Sequence, residues 1–173
     1  MALLGVGRGR QRPKFVAYRA HHMIIVALTL HLLAALLWVG GMFFAYVVLR
    51  PSAAALAPEI RLSLWSRVFA RFFAWVWLSV ATLLCSGIAL VLLAYGGFTA
   101  LSVYVRAMMA SGLAMMALYT YVYFVPWRGL RAAVAAAAWA EAGKHLNQIR
   151  RLVAVNLILG VVTVTVGVAG LYR

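Results

Sequence analysis

The sequence predicts an all-α fold, an integral membrane four-helix bundle with helical extensions outside the bilayer. Three observations carry this. Of 173 residues, 67% are hydrophobic, and the mean hydropathy is +1.00, against roughly 45–50% apolar residues in a soluble domain. Four apolar stretches each exceed the roughly 20 residues needed to cross ~30 Å of hydrocarbon. The prolines and nearly all the charged residues fall between the stretches, not within them. A backbone in hydrocarbon must satisfy its own hydrogen bonds, so each stretch reads as a helix.

The first span runs from about 22 to 49 and is expected to end at Arg50-Pro51. Pro58 with Glu59 marks the next helix start. Leu62, Trp65, Phe69 and Phe72 then recur at helical spacing with Arg61, Arg67 and Arg71 among them, which predicts an interfacial helix feeding straight into span two. Span two covers about 72–95 and stops at Gly96-Gly97; a tight turn leads to span three, about 103–125, which is expected to stop at Pro126. The alanine-rich run 132–138 favours helix and is expected to extend span three or four beyond the membrane. Span four covers about 152–172. The chain therefore divides into a basic N-terminal tail, 1–20, and a four-helix transmembrane domain, 21–173.

The formal charge is +14, from 16 Lys and Arg against two acids, Glu59 and Glu141. The basic residues lie almost entirely outside the spans, which points to anionic lipid headgroups and to topology, not to nucleic acid. The tail residues Arg8, Arg10, Arg12, Lys14 and Arg19 also suit an acidic surface on another subunit of a membrane complex. The basic start resembles the beginning of a signal peptide, but the apolar run after it is too long, so the first helix is expected to remain as its own insertion signal. Let side A be the side of the N-terminus and side B the side of the two long linkers. Side B holds nine basic residues and side A six, with Arg106 just inside the membrane. That count favours cytoplasmic linkers, while the basic tail pulls the other way.

The parts exclude several chemistries. Neither acid lies in a span, so there is no buried carboxylate relay, and the chain has no P-loop, dinucleotide fingerprint or CxxC. Cys85 is the only cysteine. What remains is His31, an ionisable ring roughly 14 Å into the first span. The same depth count gives Cys85, Ser86 and Gly87 in span two, Gly112 flanked by Met109, Met115 and Met116 in span three, and Thr163 in span four. Trp38 follows His31 by seven residues and shares its face. An imidazole opposite glycines suits a haem, with Arg106 reaching toward propionates. His31, Cys85, Met109 and Met116 are instead soft ligands suited to Cu(I). The third reading is structural: His31 bonds a carbonyl or hydroxyl of a neighbouring helix. His145 reads as a solvated loop residue, His21 and His22 as headgroup contacts.

The stretch from His31 through Trp38, Gly40, Gly41 and Met42 to Arg50-Pro51 resembles the first helix of CopD-like (copper resistance protein D) membrane proteins. The run from Leu146 through Ile149-Arg150-Arg151-Leu152-Val153 to Gly160 resembles their last helix. The resemblance implies copper handling at the bacterial inner membrane. The family is also similar to HemJ-type protoporphyrinogen oxidases, in which a first-helix histidine matches His31 and a lysine matches Arg106. Arginine neither ligates iron nor takes a proton at ordinary pH, so at that position the resemblance leaves a propionate clamp or an ion pair.

Three expectations follow. The leading one is a CopD-like multi-pass inner-membrane protein that binds haem b or copper through His31 without itself turning over a substrate. The second is a cofactor-free accessory subunit of a larger membrane complex, docked through the basic tail. The third is a haem-dependent porphyrinogen oxidase.

Overall fold

A computed structural model describes the backbone from Arg12 to Gly170 and side chains from Tyr18 to Gly170. The tail residues Arg8 and Arg10 lie outside the described residues. Every element among those described is helical: α1 (Arg12–Phe43), α2 (Arg50–Ser52), α3 (Pro58–Ala94), α4 (Val103–Phe124), α5 (Pro126–Ala135) and α6 (Trp139–Gly170). Four helical stretches are long and apolar enough to span a membrane: Tyr18–Ala55, Pro58–Ala94, Val103–Ala135 and Trp139–Gly170.

Proline does not end the first span. The chain winds through a wider π-helical turn, Phe44–Leu49, into α2 and a 3₁₀ turn, Ala53–Ala55. Pro51 follows directly on that wider turn, and the chain stays helical across its missing N–H. Helix α3 does run unbroken from the interface through the membrane, starting on Pro58 with Glu59 in its first turn. It ends before Gly96 and Gly97, whose φ of 70° and 130° few residues with a side chain adopt. Pro126 breaks the third span as expected, but helix resumes at once with Pro126 in the first turn of α5.

The alanine run divides instead of forming one helix. Its first part ends α5, and Ala137 turns back at φ 52°. Ala138 N–H donates to Ala133 C=O at 2.9 Å and Ala137 N–H to Val134 C=O at 3.2 Å, the paired bonds of a Schellman cap. Propensity favours helix throughout the run, but the chain must reverse here for α6 to pack on α5. Alanine at a left-handed position carries a steric cost that glycine lacks. Ala137→Gly is therefore expected to stabilise the protein by about 1 kcal/mol, read as a raised midpoint of thermal unfolding in detergent.

The four long helices pack as two pairs joined at side B. In the first pair, Ala27, Ala34, Trp38 and Met42 form the buried stripe of α1, which faces α3. In the second, α4 lies on α6, with Met108 against Gly167 and Met115 against Gly160. Small residues let the backbones approach, as expected where lipid supplies no hydrophobic drive between helices. Val39 also meets Gly160, tying α1 to α6. Gly160→Leu is expected to force these three helices apart and to lower the yield of folded protein, checked by monodispersity after extraction.

The densest core lies toward side B. Phe73 stacks on Phe69 at 5.2 Å between ring centroids and meets Tyr119 at 5.6 Å and Trp127 at 5.3 Å, both edge-on. Tyr119 donates its hydroxyl to Phe73 C=O at 2.9 Å, so its polar tip is satisfied inside the bundle. Leu130, Leu146 and Ile149 close the core beneath α5 and α6. The side-A half has fewer buried residues, and there the two pairs are less tightly joined.

Candidate functional site

His31 sits half-buried on the α3-facing side of α1. Its ring lies over Gly87, where an added Cβ would stand 3.5 Å from the imidazole. Its Nδ1 is 2.9 Å from Ser86 Oγ. Ser86 is buried and its Oγ lies 2.6 Å from Thr82 C=O. Proton counting fixes the direction of these bonds. A serine hydroxyl has one hydrogen, and a carbonyl can only accept, so that hydrogen goes to Thr82. Ser86 Oγ then accepts, and His31 Nδ1 must be the nitrogen that carries the proton. In the neutral ring, Nε2 is left with a bare lone pair. Among the described residues, no hydrogen-bond partner occupies it.

The pairing of His31 with Ser86 and Gly87 agrees with the depth count from the sequence. It also matches the structural reading, in which a hydroxyl of a neighbouring helix holds the ring. The two readings are compatible: the bond that orients the imidazole is also the one that frees its other nitrogen. Ligating histidines are commonly held in this way by their second nitrogen.

Beside this pair a groove of about 610 Å³ opens between α1 and α3. His22, Met23, Cys85 and Ser86 line it together with small and aliphatic residues. Cys85 is exposed there, adjacent in sequence to the serine that holds His31. His22 bonds the Tyr18 hydroxyl at 2.9 Å, one turn earlier on α1. Met23 as a groove residue is an addition to the sequence-derived set, and its helical spacing with Ala27 and Leu30 was the available signal.

The remaining predicted residues are distributed more widely. Trp38 is fully inside the core, edge-on to Tyr119 at 6.0 Å, and serves packing. Val39 meets Gly160, and His31 precedes Val39 by eight residues, so in the antiparallel α6 its level falls near Gly167 and Val168. Met108 lies against Gly167. Met109 and Arg106 are thus close to the level of His31, on another helix. Gly112 lies about 6 Å deeper and Met116 about 12 Å deeper. Thr163 is likewise deeper, bonded to Ser111 at 2.8 Å in the α4–α6 pair. The depth count ran one turn off here because helix ends guessed from hydropathy do not give register between helices. Arg106 is exposed. His145 is half-buried in α6, over Gly129 of α5 and 3.7 Å from Glu141, so it is not a solvated loop residue.

Residues 66–170 match the family model for copper resistance protein D, CopD. The chain belongs to the CopD family. The match takes in most of α3 and all of α4, α5 and α6, including the Ile149-Arg150-Arg151 run, while α1 with His31 precedes it. No curated protein and no solved structure matches the chain. The family and the four spans make it a multi-pass membrane protein.

A thiol and a thioether, Cys85 and Met23, line the groove beside His31. Among the described residues no three His, Cys, Asp or Glu side chains gather in one place. Thiol and thioether are ligand types that favour monovalent copper, and imidazole suits copper among several transition metals.

Proposed function

We propose that this CopD-family protein handles copper in the bacterial inner membrane, with its long linkers on the cytoplasmic side, and binds Cu(I) through Nε2 of His31. The observation that carries the reading is the Thr82–Ser86–His31 chain of hydrogen bonds, which leaves that nitrogen unprotonated. Cys85, next to Ser86 on the wall of the adjoining groove, is the sulfur donor best placed by sequence and helix face to complete the set; Met109, near the same level on α4, is the second, whereas Met23 stands about 12 Å from His31 along α1, too far to share its ion. Bound copper would supply a soft centre that sulfur and imidazole ligands hold reversibly. The chain's own part is to hold the ring, keep its proton on Nδ1 and exclude carboxylates that would favour harder ions.

The test is metal content and optical spectrum of the intact protein purified in mild detergent. Copper near one equivalent, with no Soret band, is expected, and Cys85→Ser is expected to weaken retention of Cu(I) against a competing chelator about tenfold or more. A Soret band lost in His31→Ala would move the same nitrogen from copper to haem iron and revive porphyrinogen chemistry. A folded, colourless, metal-free protein from copper-supplied cells would contradict both and leave the accessory-subunit reading.

A further inference from the structure

The side-B mouth of the bundle carries three arginines that no carboxylate among the described residues pairs with. Arg50 lies over the Tyr46 ring at 4.8 Å, at the end of the first span. Arg61 stands one turn before Trp65 on α3, and its Nη1 donates to Ala54 C=O at 3.3 Å. Arg150 lies over Trp65, 5.8 Å from guanidinium carbon to ring centroid, with Nη1 3.4 Å from Asn147 Oδ1. Arg150 lies within the positive fields of both Arg50 and Arg61. The chain has two acids; Glu141 pairs with Lys144 at 2.8 Å, and Glu59 makes no ion pair among the described residues. A second observation points the same way. The Nε of Arg150 and the indole Nε1 of Trp65 are both buried N–H donors without a hydrogen-bond partner among the described residues. Buried donors rarely stay unpaired, and adjacent ones beside converging like charges imply an acceptor that carries negative charge.

We propose that Arg50, Arg61 and Arg150 form a binding site for a phosphate oxyanion at the side-B surface, with Trp65 as its apolar wall. Guanidinium groups suit phosphate because their planar donors meet two oxygens at once. The position at the membrane edge makes the headgroup of an anionic phospholipid the natural bearer, since basic pockets between spans bind such headgroups. The site is independent of His31 and of any metal.

The test is native mass spectrometry of the full chain in mild detergent, titrated with phosphatidylglycerol, with phosphatidylcholine and with inorganic phosphate. One phosphatidylglycerol is expected to stay bound, preferred over phosphatidylcholine, whose choline cation the arginines repel. Arg61→Gln and Arg150→Gln are each expected to weaken it about tenfold, the loss of one charge-assisted bond. Arg128→Gln, on the same side but stacked on Phe124, is expected to change nothing. If Arg150→Gln does not fold, the Arg50→Gln, Arg61→Gln double variant carries the same expectation on less buried side chains. Displacement of the lipid by inorganic phosphate assigns the oxyanion site to free phosphate, and persistence assigns it to the headgroup. Equal lipid retention in the Arg61, Arg150 and Arg128 variants, or binding of neither lipid nor phosphate, would overturn the proposal.

Discussion

Replacing His31 with alanine is expected to strip copper from the purified protein and leave its four-helix fold in place. The ring is half-buried and lies over Gly87, so its removal opens a small space at the less tightly packed end of α1 and α3. The metal effect is much larger, because the variant lacks the one nitrogen that the hydrogen-bond chain leaves free. Ser86→Ala separates ligation from orientation. It keeps the imidazole but removes the acceptor for Nδ1–H, freeing the ring to rotate and exchange tautomers. Loss of such a supporting partner typically costs 10–100-fold in metal affinity. Ser86→Ala is thus expected to bind Cu(I) about 10–100-fold more weakly than the parent, and Ser86→Thr, which keeps the hydroxyl, to recover most of it. The measurement is competition against a colorimetric Cu(I) chelator. Equal affinities for parent, His31→Ala and Ser86→Ala would place the copper elsewhere.

The largest expected effect on stability is at Phe73. Its ring contacts Phe69, Tyr119, Tyr123 and Trp127, so one side chain joins α3, α4 and α5. Truncating a buried phenylalanine costs about 3–5 kcal/mol when its surroundings cannot collapse. Collapse is hindered here because the neighbours are rigid rings, and Tyr119 is anchored by its bond to the Phe73 carbonyl. Phe73→Ala is expected to lower unfolding stability in detergent by about that amount, while Phe73→Leu costs much less. Trp75, exposed two residues away on the lipid face, is the control, and Trp75→Leu is expected to be nearly neutral.

Most of the architecture was legible in the sequence because membrane spanning leaves few choices. Apolar length gave the four spans, Pro58 gave the start of α3, and Gly96-Gly97 gave its stop. The depth of His31 against Ser86 and Gly87 was also legible, because α1 and α3 are neighbours whose ends sit close in sequence. The level of Gly112 and Thr163 was not. Register between α1 and α4 is set by Gly160 receiving both Val39 and Met115, and hydropathy says nothing of which small residue a neighbour enters. The turn at Ala137 was hidden for a related reason: alanine reports helix preference, and only the packing of α6 on α5 requires the chain to reverse there. The tautomer of His31 needed the Thr82 carbonyl, a backbone group that no side-chain pattern reveals.

Nitrogen-15 NMR of the histidine rings, with and without one equivalent of Cu(I), tests the central claim most directly. For His31, assigned by its loss in His31→Ala, the account predicts a proton on Nδ1, a bare Nε2, and a copper-induced shift confined largely to Nε2. A proton on Nε2 in the metal-free protein, or a His31 signal unmoved by bound copper, would contradict it.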